Sequence, residues 1–176
     1  MIFSETKLPG AFVIEPERLE DERGFFARLW SEQDFAEHGL VPHFMESNTS
    51  FSRKRGTVRG MHFQASPHGQ VKLVRCTTGA IFDAIIDLRP GSPTFKQWDS
   101  IELSADNRLM LYVPIDFAHG FQTLVDNTEV TYQMSSPYHP ASSRGVRWDD
   151  PAFGIVWPEA ERTIIARDRE YPDFQG

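Results

Sequence analysis

The 176-residue chain carries 18 Lys and Arg against 25 Asp and Glu, a formal net charge of −7, and is 40% apolar and 12% aromatic with 14 Phe. That length suits one domain, 1–176, with material for a packed core, and excludes a disordered chain; the negative balance excludes broad nucleic-acid binding, which rests on Lys and Arg neutralising phosphates. The lone Cys76 excludes an intramolecular disulfide and reads as a small strand hydrophobe, while no signal peptide is evident and no apolar run approaches the roughly 20 residues that span a bilayer, so a soluble cytoplasmic protein is expected.

In chain order, Ala11-Phe12-Val13-Ile14 lies between Pro9-Gly10 and Pro16 and reads as a strand near a sheet edge. Asp21-Glu22-Arg23-Gly24-Phe25-Phe26 reads as a turn entering a strand. Arg23 there is either a surface charge or an anion ligand, and the residues alone favour the surface. Ser31 to Gly39 predicts a short helix, with Ser31 as its cap, Asp34 three residues on and Gly39 as its terminator. Pro42 to Ser50 reads as strand and loop, and Ser52-Arg53-Lys54-Arg55-Gly56 as an exposed basic turn.

Arg59-Gly60-Met61-His62-Phe63-Gln64, followed by Lys72-Leu73-Val74-Arg75, then concentrates an imidazole, a guanidinium and an ammonium among strand-forming residues. An apolar interior excludes such groups unless they are paired. Arg59 and His62 have opposite strand parity, so both reach one pocket only through a bulge at Gly60 or by Arg59 bending in from the rim. Val71 to Thr77, a Thr78-Gly79 turn and Ala80 to Leu88 predict a hairpin. In its second arm Ile81, Asp83, Ile85 and Asp87 share one face and Phe82, Ala84, Ile86 and Leu88 the other. Both faces are largely apolar, so Asp83 and Asp87 require buried partners such as His, Lys or Arg.

Further strands are predicted over Lys96 to Leu103, Leu109 to Val113, Phe117 to Val125 and Glu129 to Met134, with turns at Ser104-Ala105-Asp106-Asn107 and Asp126-Asn127. This recurrence points to an all-β sandwich or barrel. Ser135 to Asp150 reads as loop, Trp148 to Pro158 as an aromatic-anchored return across the sheet, and Ile164 to Arg169 as a short charged tail.

No Gly-rich phosphate loop and no Gly-x-Ser-x-Gly elbow occurs. His62 and His119 stand in comparable settings, and in double-stranded β-helix barrels of the cupin type a His from each would meet inside the barrel. Metal-binding cupins use a His-x-His pair followed by a Glu. Here Gln64 stands two residues after His62 and no acidic residue follows before Asp83, which leaves two ligands where a catalytic metal wants three or more. What remains is His62 as a base near neutral pH, Tyr132 as an acid, Lys72 as a fixed positive charge and Arg59 as an anion ligand. For His62 the competing reading is a hydrogen-bonded structural residue.

Seven segments, Asp21 to Phe26, Arg59 to Gln64, Lys72 to Arg75, Gly91 to Phe95, Leu103 to Asn107, Phe117 to Phe121 and Trp148 to Pro151, closely resemble the dTDP-4-dehydrorhamnose 3,5-epimerase family, in the right order over nearly the whole chain. The resemblance implies a cupin-like double-stranded β-helix, or jelly-roll sandwich, with a few short helices. It also implies a homodimer and, as substrate, a nucleotide-linked 4-keto-6-deoxy sugar whose carbon 3, carbon 5 or both are inverted, in deoxysugar biosynthesis. It makes His62 the base, Asp168 its partner, Lys72 the stabiliser of the enolate and Tyr132 the acid, with Tyr138 near the site. Arg23, Phe26, Asn48, Arg59, His119 and Arg167 would contact the nucleotide diphosphate or the sugar. That chemistry requires no cofactor and no metal.

Departures from the family pattern are Arg28, where Glu is common, Glu46-Ser47 in place of Gln-Asp, and Ser143, where Glu is frequent. Reversing the charge at a nucleotide contact predicts a different nucleotide or sugar with the core reaction kept. A metal-dependent cupin and a non-catalytic nucleotide-sugar binding protein are the competing functions; the missing His-x-His opposes the first, and the presence together of His62, Lys72, Tyr132 and Asp168 opposes the second.

Overall fold

A computed structural model describes residues 1–176. Its strands are β1 (Ile2–Glu5), β2 (Phe12–Glu15), β3 (Arg18–Asp21), β4 (Gly24–Ala27), β5 (Glu46–Ser52), β6 (Val58–Gln64), β7 (Lys72–Thr78), β8 (Ala80–Asp87), β9 (Trp98–Ser104), β10 (Met110–Val113), β11 (Phe117–Thr123), β12 (Thr128–Met134) and β13 (Ser143–Gly145). Two short helices, α1 (Glu32–Glu37) and α2 (Ala166–Arg169), complete it. One sheet runs β1-β2-β10-β7-β12-β5 and the other β13-β6-β11-β8-β9, while β3 and β4 form a separate ribbon. This is the cupin-like all-β sandwich expected from the sequence. No helix is long and apolar enough to cross a membrane.

Period-two alternation decides which side chains meet between the sheets. Val74, Cys76, Leu111, Val113 and Val130 of the first sheet pack on Ile81, Ile85, Leu103, Phe117 and Phe121 of the second. The opposite face of the second sheet is covered by Val146, Phe153, Ile155 and Trp157, with Trp157 Nε1 donating to the Trp148 carbonyl at 2.7 Å. This is the aromatic return read from the sequence. The outer face of the first sheet is covered at one end by α1, whose fully buried Phe35 packs among Ile14, Leu73, Met110 and Tyr112. Removing that ring would cost about 3–5 kcal/mol. Ser31 caps α1, its Oγ accepting from Asp34 N at 3.3 Å.

The predicted 71–88 hairpin does not form. β7 pairs with β10 and β12, whereas β8 pairs with β9 and β11. The Thr78-Gly79 corner instead carries the chain from one sheet to the other. Gly79 makes the corner with φ +80°, and a Cβ there would lie 2.5 Å from Thr128 Oγ1. The misreading has a physical cause: alternation reports which faces are buried, and a strand buried on both faces looks alike whether its neighbour pairs beside it or packs opposite it. The sequence pattern also does not predict three of the strands, β1, β3 and β13. The buried carboxylates do have partners. Asp83 meets His119, and Asp87 accepts from Arg89, Ser92 and Thr94.

Candidate active site

At one end of the sandwich the inner faces separate around a cavity of about 230 Å³ lined by Ser50, Arg59, His62, Lys72, His119, Phe121, Tyr132, Ile165 and Arg167. Five of these are residues predicted from strands: Arg59 and His62 on β6, Lys72 on β7, His119 on β11 and Tyr132 on β12. The two sheets supply different chemistry, since β6 and β11 bring imidazoles while β7 and β12 bring an ammonium and a phenol from the other side.

A bulge resolves the parity conflict between Arg59 and His62. His62 pairs with His119 and Arg59 with Phe121, so three steps along β6 match two along β11. The extra residue returns both side chains to the inner face. Arg59 then reaches across to β5, with Nε donating to Ser52 Oγ at 3.1 Å and Nη2 to the Phe51 carbonyl at 2.9 Å.

His62 is 30% exposed, and its Nε2 lies 2.8 Å from Oδ1 of Asp168, which is 1% exposed. Asp168 belongs to α2, so the charged tail folds back beneath β6. Its Oδ2 accepts the Gly60 N–H at 3.1 Å, and Arg167 Nε donates to Oδ1 at 3.2 Å. Burial alone would raise the Asp168 carboxyl. Hydrogen bonds from His62, Gly60 and Arg167 outweigh it and hold the group below its ordinary 3.8. Burial pushes the His62 imidazole below 6.5; Asp168 pulls the other way, and the cations Lys72 and Arg167 add to the lowering. The imidazole is therefore neutral near pH 7, with a lone pair for a proton. Arg167 Nη2 lies 2.9 Å from the same Nε2.

Lys72 Nζ donates to the His62 carbonyl at 3.0 Å. Burial pushes its ammonium down from 10.5 to about 8, against the pull of Asp83. Lys72 is therefore not the fixed charge expected from the sequence: enclosure between the sheets makes it titrate close to neutrality. His119 carries its own aspartate, with Nε2 2.7 Å from Asp83 Oδ1. With each Nε2 facing a carboxylate, the two cavity imidazoles are held by aspartates, and no group of three or more His, Cys, Asp or Glu side chains is placed to hold a metal ion.

The remaining expected site residues are not brought into this cavity. Arg23, on the turn of the β3–β4 ribbon, is exposed and pairs with Asp21 at 2.6 Å, the surface charge that its local sequence favoured. Phe26 is 68% exposed and, with Leu19 and Arg28, lines a separate pocket beside Met1, Glu17 and Asp34. The ribbon pairs with neither sheet, and none of its residues lines the cavity. Asn48, Glu46 and Ser47 lie on edge strand β5, where Asn48 Nδ2 approaches Met134 Sδ at 3.9 Å. Ser143 sits on β13 opposite Gln64, and Tyr138 is exposed on the rim.

Three cavity residues, Ser50, Phe121 and Ile165, and the buried Asp83 are site residues that the sequence does not predict. Asp83 did leave a signal, a carboxylate on an otherwise apolar strand face. Ser50 left another, because it shares strand parity with Asn48.

The chain matches the dTDP-4-dehydrorhamnose 3,5-epimerase family model over residues 5–176. It is 42% identical over 175 residues to a dTDP-4-dehydrorhamnose 3,5-epimerase of Sinorhizobium fredii, covering 99% of this chain and 90% of the relative. Among solved structures it is similar to the dTDP-4-dehydrorhamnose 3,5-epimerase of Bacillus anthracis with TDP and PPi bound, with a TM-score of 0.94 at 41% identity over 98% of this chain and 99% of the other. It is also similar to a 4-keto-6-deoxy sugar epimerase from the novobiocin biosynthetic gene cluster of Streptomyces spheroides, with a TM-score of 0.93 at 36% identity over 98% and 87% of the two chains. A match of that extent makes this chain a member of the dTDP-4-dehydrorhamnose 3,5-epimerase family.

Proposed function

We propose that the protein is a carbohydrate epimerase that inverts carbon 3, carbon 5 or both of a nucleotide-linked 4-keto-6-deoxy sugar. The observation that carries this reading is that His62 and Tyr132 enter one cavity from opposite sheets, with the Lys72 ammonium beside them. A ring held between the sheets meets a base on one face and an acid on the other. Neutral His62 takes the proton from the carbon next to the ketone, and the electron pair moves onto the ketone oxygen as an enolate. Lys72 stabilises that charge in a site with little water to do so. Tyr132 gives its proton to the same carbon from the opposite face, which inverts it. The phenolate regains a proton from solvent and the imidazolium returns one, so no oxidant or reductant enters.

Arg59 and Arg167 stand at the same cavity as cations suited to a diphosphate. A dTDP-linked sugar is favoured, since the S. fredii relative is named for such a substrate and the B. anthracis relative holds TDP. The charge reversal at Arg28 bears on the nucleotide only if a second copy brings the ribbon to the site. Exposed Leu19 and Phe26, paired across that ribbon, support such a homodimer, because apolar groups clustered in water mark a contact surface. Arg23, Phe26 and Arg28 would then serve the partner's cavity rather than their own. A nucleotide-sugar substrate fits a cytoplasmic enzyme.

The test is conversion of a dTDP-linked 4-keto-6-deoxy hexose, followed by NMR, before and after dialysis against a chelator. The expected result is an inverted product in both cases. Binding without proton exchange would favour a sensor, and loss on chelation with recovery on adding a divalent metal would favour a metal-dependent cupin.

A further inference from the structure

Gly145 on β13 is the cross-strand partner of His62 on β6. Cross-strand partners share a face, so a side chain at 145 would flank the imidazole. Gly145 has none, and the space is filled by Tyr171: a Cβ built on Gly145 would lie 2.3 Å from Tyr171 Cζ and 2.6 Å from its hydroxyl. The Tyr171 and His62 rings stand 6.4 Å apart at 66°, an edge contact. On the opposite flank His62 pairs with His119 of β11. The imidazole is thus walled along the sheet by His119 on one side and Tyr171 on the other.

The tail that brings Tyr171 there is fixed at several points. Arg147 pairs with Asp173 at 2.6 Å, Asp150 Oδ2 accepts the Phe174 N–H at 2.7 Å, and the Phe174 ring packs 5.2 Å from Phe153. Three residues before Tyr171, Asp168 holds His62 and Gly60. One short segment therefore delivers both the carboxylate that orients the base and the ring that encloses it.

We propose that Tyr171 is a positioning residue for His62, its ring replacing the side chain absent at Gly145, holding the imidazole against Asp168 and keeping water from its edge. The part it plays in turnover rests on the epimerase reading; the packing role does not. The charged and titratable groups around His62 are Asp168 and Arg167 from α2, Lys72 from β7, His119 from β11, Tyr132 from β12, Arg59 from β6 and the Tyr171 phenol itself; substitution at 171 removes only the last, and Tyr171→Phe controls for its hydroxyl.

The test follows the His62 imidazole by NMR titration, together with solvent proton exchange of a dTDP-linked 4-keto-6-deoxy hexose. In Tyr171→Ala the His62 titration moves up toward 6.5 as water reaches the ring, and exchange falls about 10–100-fold, with melting temperature recorded as the control for folding. Tyr171→Phe keeps the ring and leaves both readouts near wild type. Gly145→Ala, which keeps the tyrosine but displaces it, moves the titration in the same direction as Tyr171→Ala. An unmoved titration in Tyr171→Ala, or a change in Tyr171→Phe as large as in Tyr171→Ala, overturns the proposal. If the wild-type protein exchanges no protons, the epimerase reading fails while the titration still decides the packing claim.

Discussion

Asp168 Oδ1 lies 2.8 Å from His62 Nε2, and its other oxygen accepts the N–H of Gly60, two residues before that histidine. One carboxylate thus grips both the base and the strand that carries it, so the imidazole cannot swing without breaking its bond to a carboxylate that is itself anchored to β6. Orientation of this kind lets a weak base act on a weakly acidic C–H.

Replacing Asp168 by Asn keeps the shape and removes the charge. Asp168 raises the His62 titration against burial, so Asp168→Asn moves the acid limb of the rate profile to lower pH. The exchange rate falls by about 10²–10⁴-fold. A pH–rate series on the variant reads both effects.

The wild-type profile is a bell. His62 must be neutral, and its folded value lies below 6.5, so activity rises through a limb below that pH. Lys72 must be charged, and its folded value is about 8, so activity falls as pH rises through it. Stability moves the opposite way over the alkaline range: between about 8 and 10.5 the unfolded chain holds the Lys72 proton more tightly, so unfolding takes up protons and the Lys72 contribution to stability grows with pH. It is lost as pH falls through about 8. Guanidinium melts of wild type and Lys72→Met at the two ends of that window isolate it, with the variant expected to gain less.

Asp83 is the buried charge that holds the Lys72 titration up. Asp83→Asn therefore drops Lys72 further and brings the alkaline limb below about 8. It also removes the carboxylate from His119, a buried charge-assisted bond whose loss costs about 1.5–3 kcal/mol. The shifted limb, measured at a temperature where the variant stays folded, separates the electrostatic effect from the loss of stability.

Tyr132→Phe removes the acid and leaves the base. Deuterium from solvent still enters the substrate through His62 from its own face, while inversion falls by about 10²–10⁴-fold. NMR that reports label and configuration together distinguishes the two.

Much of this was legible in the sequence, and the exceptions share a cause. Most of the strands, the α1 cap at Ser31, the need of Asp83 for a partner and the parity conflict between Arg59 and His62, which a bulge or a bent Arg59 could relieve, are local or follow from alternation. The Thr78-Gly79 corner was misread because burial on both faces does not say which strand lies beside β7. Asp168 was reached only through family resemblance, since nothing in a charged tail shows that it folds under β6. Tyr171 left no signal at all, because its contact depends on a missing side chain at Gly145. The lowered Lys72 titration depends on both sheets being in place, which no single strand reveals.

The most direct measurement is solvent deuterium incorporation beside the ketone of a dTDP-linked 4-keto-6-deoxy hexose, read by NMR for wild type and His62→Ala. Incorporation by the wild type and a loss of about 10²–10⁴-fold in His62→Ala, with the melting transition retained, is the predicted result. Near-normal incorporation in His62→Ala would contradict the assignment of His62 as the base.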